Sequence, residues 1–241
     1  MSTYPSPFGD SRPYPLDEQG RAVSSQAIAR FFNSVYAWMA AGLALTALVA
    51  YWISTRAEFQ NLGGGVFIGL FIVQIILVMT ISAAVRRISA ATATVLFLLY
   101  AALNGVTLSG IFTHYAHATL ASAFAITAGM FAVMSLYGFF TRRDLSAWGS
   151  LLFMGLIGVI LATIVSIFWH NSILNVVINY VGVLVFVGLT AYDTQMLRQT
   201  AIQTAGDGAL AARLSITGAL SLYLDFLNLF LFLLRSMNDR R

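Results

Sequence analysis

Two carboxylates set in apolar sequence are the residues of this chain best suited to chemistry. Asp225 stands in SLYLDFLNLFLFLLR and is the one charged residue between Arg213 and Arg235. An ionised carboxylate in hydrocarbon is costly, so such residues mark ion paths or proton relays, or serve as hydrogen-bonding struts to a neighbouring helix. Asp193, in VFVGLTAYDTQMLR, closes a run without formal charge that begins at Leu145. Its place just before Arg198 also suits a plain interfacial residue at a helix end.

The turn between the two segments joins these acids into one site. TAGDGA, Thr204 to Ala209, is the turn-like stretch between them. Asp193 and Asp225 lie sixteen residues on either side of Ala209. In an antiparallel hairpin turning there, a rise of about 1.5 Å per residue sets both at one height, to within about one turn. Two carboxylates meeting in a dry site cannot both ionise cheaply. The pair would hold one proton between them and act as a proton switch. Tyr192, Tyr223 and Asn228 are close enough in sequence to supply hydrogen bonds, although ordinary polar packing between helices explains them more simply.

Arg86 and Arg87 offer a counter-charge. Either could swing in to neutralise the ionised pair, and for at least one of them an anchor at the membrane surface is the simpler role. Arg142, Arg143 and Asp144 read as a loop anchor. His114 and His117 have i, i+3 spacing but fall in a turn without further ligands, and His170 is similar, so no metal centre is expected from them. The chain carries no P-loop, GxSxG or HExxH.

These residues need a membrane to position them. Of 241 residues 59% are hydrophobic and 9% charged, against about 25% charged in soluble domains. Mean hydropathy is +0.82. So few polar groups cannot cover a soluble surface of this size. The long charge-free runs predict an all-α membrane protein. Cysteine is absent, which excludes disulfides and thiol chemistry. Every basic residue is Arg, scattered in ones and twos without the stripe that nucleic acid would need.

Charges and turns divide the chain into seven spans. They are expected over 31–55, 59–85, 91–112, 119–140, 147–168, from 173 onward, and 214–235, with breaks at THYAHA and WHNS. Residues 31–241 then form a single seven-helix transmembrane domain. All four prolines lie within the first fifteen positions, and residues 1–30 read as a disordered tail without the apolar core of a signal peptide. The GxxxG of Gly65 and Gly69, with Gly155, Gly158, Gly182 and Gly188, suggests close helix packing. Arginine bias puts the tail and the even-to-odd loops in the cytoplasm, with Arg30, Arg86, Arg87, Arg142, Arg143, Arg198 and Arg213, and the C-terminus outside. Trp52, Trp148 and Trp169 fall near span ends, as interfacial anchors do.

The segments FFNSVYAWMAAGL, NGVTLSGIFTHY, MSLYGFFTRRDLS, FVGLTAYDTQ and SLYLDFLNLFLFLLR, in this order, resemble the bacterial branch of the Bax inhibitor (TMBIM) family. The resemblance covers nearly everything after the tail. It implies a seven-helix bundle with the last helix central, in the bacterial inner membrane, and a pH-sensitive calcium leak. The family's paired aspartates match Asp193 and Asp225, and its gating arginine matches Arg87 best, with Arg86 adjacent. An acid that some relatives carry in the second helix has no equivalent here, the nearest polar residue being Gln74.

The expected function is therefore a cation leak, with calcium as the permeant ion and no cofactor. Calcium favours oxygen ligands, and two buried carboxylates suit transient passage rather than storage. One shared proton and an arginine latch would hold the seventh helix closed, and loss of the proton would loosen it. A regulatory membrane protein that binds and restrains another, such as a quality-control protease, is the alternative. Presenilin-like proteases also use two intramembrane aspartates, but they need GxGD and a PAL helix. Asp225 instead follows Leu222-Tyr223-Leu224, so an enzyme is not expected.

Overall fold

The computed structural model describes residues 25–56, 64–84, 87–169 and 171–238. Seven helices and no strand occur among them. They are α1 (Ser25–Ser54), α2 (Gly64–Ala84), α3 (Ala90–His114), α4 (His117–Phe140), α5 (Ser146–Phe168), α6 (Ser172–Gln203) and α7 (Gly208–Asn238). Six, all but α2, are long and apolar enough to cross a membrane. The described apolar stretch of α2 is the shorter Ile68–Ala84. Residues 1–24, Arg86 and His170 lie outside the described residues.

Among the described residues most breaks fall where the polar turns put them and two helix starts do not, while the expected start of the second span at 59 lies outside the described residues. α1 begins at Ser25, ahead of the expected residue 31, because SQAIAR is built of good helix formers. α7 begins at Gly208, not at 214. Asp207 caps it, its Oδ1 accepting from the N–H groups of Ala209 (3.0 Å) and Leu210 (2.9 Å). Asn171 caps α6 in the same way, accepting from Ile173 N at 2.9 Å. Ser89 caps α3 through Thr92 N at 3.0 Å.

Contacts along α1 set the directions of its neighbours. Gly42 lies against the Phe97 ring, Thr46 donates to the Ala101 carbonyl at 2.8 Å, and Gly105 lies against Val49. Both partners advance together, so α1 and α3 run parallel. α1 and α7 are also parallel: Ser34 Oγ meets Ser215 Oγ at 2.9 Å, and Thr46 Oγ1 meets Tyr223 Oη at 2.7 Å. α6 and α7 are antiparallel, Leu197 packing on Gly218 and Phe232 on Gly182.

α7 is the most buried of the six long apolar helices, with 61% of its apolar window buried against 11% to 39% for the others. Tyr223, Leu222, Ala219 and Leu220 on α7 join Val35, Phe97 and Ala101 in the largest core cluster. Of those six, α5 contributes least to the interior and shows Leu151, Phe153, Met154, Ile160 and Leu161 to the surroundings, as a helix facing lipid does.

The glycines divide differently from their spacing. Gly182 and Gly188 do bring helices close, against Phe232 and Leu152, and Gly155 approaches Val185. Gly65, Gly69 and Gly158 have no neighbouring atom within 4 Å of a Cβ placed there, so the GxxxG is not a packing seam among the described residues. The tightest approach among the described glycines is at Gly138, where an added Cβ would meet the Ala191 carbonyl oxygen. Spacing alone could not reveal it, because close approach depends on which face the partner helix meets.

Candidate functional site

The site is built by the α6–α7 hairpin. Its tight turn is Thr204 to Asp207, with Asp207 N donating to Thr204 O at 3.0 Å. The pairs Leu197–Gly218 and Phe232–Gly182 place the centre of the hairpin near residue 207, not Ala209. Asp225 therefore sits about one turn, roughly 5 Å, deeper than Asp193. That difference falls within the one turn allowed for the expected equal height, with Asp193 the shallower of the two.

Side-chain direction offsets the difference. Every Cα–Cβ bond in a helix tilts toward that helix's N-terminus. On α6 this leans Asp193 away from the turn and deeper. On α7 it leans Asp225 toward the turn and shallower. The two carboxylates come within electrostatic reach of each other. Asp225 is buried, 5% exposed, and Asp193 is half-buried. Asp225 Oδ2 has no hydrogen-bond partner among the described residues.

The residues expected to support the pair are otherwise engaged. The Tyr223 hydroxyl bonds Thr46 Oγ1, whose own proton goes to Ala101 O, so Tyr223 ties α7 to α1 and α3. Its ring packs edge-on against Phe97 and Tyr100. Asn228 donates to Leu224 O one turn back at 2.8 Å. The Tyr192 ring lies over Gly149 of α5. Tyr223 and Tyr192 make contacts between helices, and the Asn228 amide bonds within its own helix.

Arg87 is exposed in the turn after α2, its N–H bonded to Ala84 O at 2.8 Å. Among the described residues it makes no ion pair with either aspartate. Arg86 lies outside the described residues. Gln74 is buried on α2 and donates to Thr107 Oγ1 on α3 at 3.2 Å, a neutral contact. The His114 ring donates through Nδ1 to Gly110 O at 2.7 Å, and His117 lines an apolar cleft with Leu120 and Phe226.

Two polar groups beside Asp193 were not singled out by sequence. Gln195 is buried and fastens the α4–α5 loop: it accepts from Leu145 N at 2.9 Å and donates to Arg143 O at 2.8 Å. Thr194 accepts from Ser135 of α4 at 3.0 Å while donating to Thr190 O, and Ser135 in turn bonds the Tyr36 hydroxyl of α1. The signal for Gln195 was present, an amide inside a membrane run. Thr194 and Ser135 carry none, because serine and threonine in helices commonly bond their own backbone.

Relatives match most of the chain. Residues 28–241 match the family described as inhibitor of apoptosis-promoting Bax1. The inner membrane protein YbhL of Escherichia coli K12 is 49% identical over 215 residues, covering 88% of this chain and 92% of the relative. An uncharacterised protein of Deinococcus radiodurans is 45% identical, covering 87% and 90%. Another, of Borreliella burgdorferi, is 42% identical, covering 88% and 93%. With a family match over most of its length and relatives this similar, the chain belongs to the Bax inhibitor family of membrane proteins.

Proposed function

We propose that this protein is a pH-sensitive cation leak of the bacterial inner membrane, gated by Asp193 and Asp225, with calcium as the permeant ion. The observation that carries the reading is the buried Asp225 with an unpartnered oxygen, within electrostatic reach of a second carboxylate. A lone acceptor in a dry site is costly. One proton held between the two carboxylates supplies the missing donor, and its loss leaves two negative charges facing each other. That repulsion acts on α7, the most buried long helix, and loosens its packing on α6.

The bundle supports this as a seven-span design with α7 as its axis. α1 and α3 are parallel, so the chain between them must return across the membrane, and α2 is the element available. Arginine bias then puts the N-terminus in the cytoplasm. Arg87, at the end of α2, serves as the latch when it turns inward to the ionised pair, with Arg86 beside it. The inner-membrane location follows the name of the Escherichia coli relative. Calcium would pass along carboxylate and carbonyl oxygens without a permanent site.

The test is calcium flux into liposomes holding the purified protein, followed from acid to neutral pH. Asp193→Asn and Asp225→Asn should each flatten the pH dependence, because an amide does not titrate. Arg87→Gln should change basal flux while keeping a pH response. If both aspartate variants show native flux and a native pH profile, the reading is overturned.

A further inference from the structure

A second polar site lies at the opposite end of the bundle from the α6–α7 turn. It is a cavity of about 250 Å³ lined by Tyr115, Thr163, Ser166, Asn175, Asn179 and Arg235. Tyr115 follows α3, Thr163 and Ser166 lie in the last turns of α5, Asn175 in the first turn of α6, and Arg235 in the last turn of α7. The volume far exceeds what one water needs.

Its two sides differ in hydrogen-bonding sense. Arg235 supplies the formal charge, and no carboxylate lines the cavity among the described residues. The guanidinium carbon stands 6.0 Å from the Phe232 ring centroid, an aromatic contact that steadies the fork without neutralising it. A guanidinium presents paired N–H groups that match a phosphate oxyanion. The α5 side accepts instead. Thr163 donates its proton to Val159 O at 2.8 Å and Ser166 to Thr163 O at 2.7 Å, which leaves hydroxyl lone pairs for a ligand's O–H. The fitting ligand is anionic at one end and carries hydroxyl groups at the other.

The helix ends beside the cavity favour one source. Phe168 (83% exposed), Trp169 (70%) and Ile173 (73%) surround this end of α5 and α6. Exposed apolar side chains with a tryptophan, at the same helix ends as a cationic polar cavity, suit the headgroup level of a bilayer. We propose that this cavity binds the hydroxyl-bearing phosphate headgroup of a glycerophospholipid. The proposal stands apart from the aspartate pair and does not depend on its gating role.

The experiment is native mass spectrometry of the full chain in uncharged detergent. The probes are short-chain phosphatidylglycerol, short-chain phosphatidylcholine and free glycerol 3-phosphate. The variants are Arg235→Ala, Asn175→Ala and, as a control at the same end of the bundle, Arg56→Ala. Phosphatidylglycerol should bind at least tenfold more tightly than phosphatidylcholine, which has the phosphate and lacks the hydroxyls. Arg235→Ala should lose at least tenfold of that affinity and Arg56→Ala should keep it. Should Arg235→Ala fail to fold, Asn175→Ala carries the test, with a loss of at least threefold. Equal binding of the two lipids, or undiminished binding in the variant tested, overturns the proposal. Free glycerol 3-phosphate binding as tightly as the lipid overturns the lipid as its source.

Discussion

Asp225 lies about one helical turn deeper in the α6–α7 hairpin than Asp193, and the two side chains lean toward each other's level. The deeper acid is buried and holds an oxygen without a partner, and the shallower one is half-buried. A shared proton in such a pair has a spectroscopic signature. Infrared difference spectra between acid and neutral pH should show a protonated-carboxyl band that disappears in Asp225→Asn. A band that persists unchanged in that variant would assign the proton elsewhere.

Asp144 provides the control for any pH effect. It lies in the loop between α4 and α5, and the Ser146 hydroxyl, then the Ser146 backbone N–H, hold its carboxyl below the usual range. A lowered folded-state pKa contributes stability that is present above the ordinary carboxylate value and is lost as pH falls through the lowered one. Asp144 is thus ionised throughout the acid-to-neutral range. Asp144→Asn should leave the pH profile of calcium flux as it is in the native protein. A shifted profile would place a sensor in this loop.

Gly138 tests the packing beneath the site. A Cβ there meets the Ala191 carbonyl oxygen, two residues from Asp193, and a backbone atom cannot rotate out of the way. Gly138→Ala should cost about 3 kcal/mol, toward the upper part of the overpacking range, and appear as a lowered melting temperature in detergent. Gly69→Ala, with no atom near the added methyl, should be neutral or slightly stabilising. Equal melting of the two variants would show that α4 does not approach α6 in this way.

What the sequence disclosed and what it hid follow from the range of the forces involved. Span breaks at His114–His117 and Phe168–Ser172 were legible because polar turns must leave the membrane. The two aspartates were legible because a buried charge has no cheap explanation. The start of α7 was misplaced because Arg213 looked like a boundary, while Asp207 was already capping the helix. The engagement of Tyr223 with Thr46 was hidden, since it depends on α1 lying beside α7, a pairing remote in sequence. The arrangement of Arg87 relative to the pair was not legible either. A long flexible side chain at a helix end has many positions of similar energy.

Gln195 links the aspartate helix to the arginine loop, and this link is open to a direct measurement. Its side chain satisfies one donor, Leu145 N, and one acceptor, Arg143 O, where α5 begins. Leucine at 195 would leave both backbone groups unpaired beside apolar side chains, at a cost of about 1–3 kcal/mol. The loop would pay that cost by opening more often, since local opening needs less free energy than global unfolding. About 1.4 kcal/mol corresponds to roughly tenfold more of the open form. Trypsin should then cut after Arg142 or Arg143 about tenfold faster in Gln195→Leu than in the native protein, while Gln203→Leu, at an exposed position in the last turn of α6, should leave the rate unchanged. Identical cleavage in all three would mean that the loop is held by something other than Gln195, and that α6 does not restrain the arginines through it.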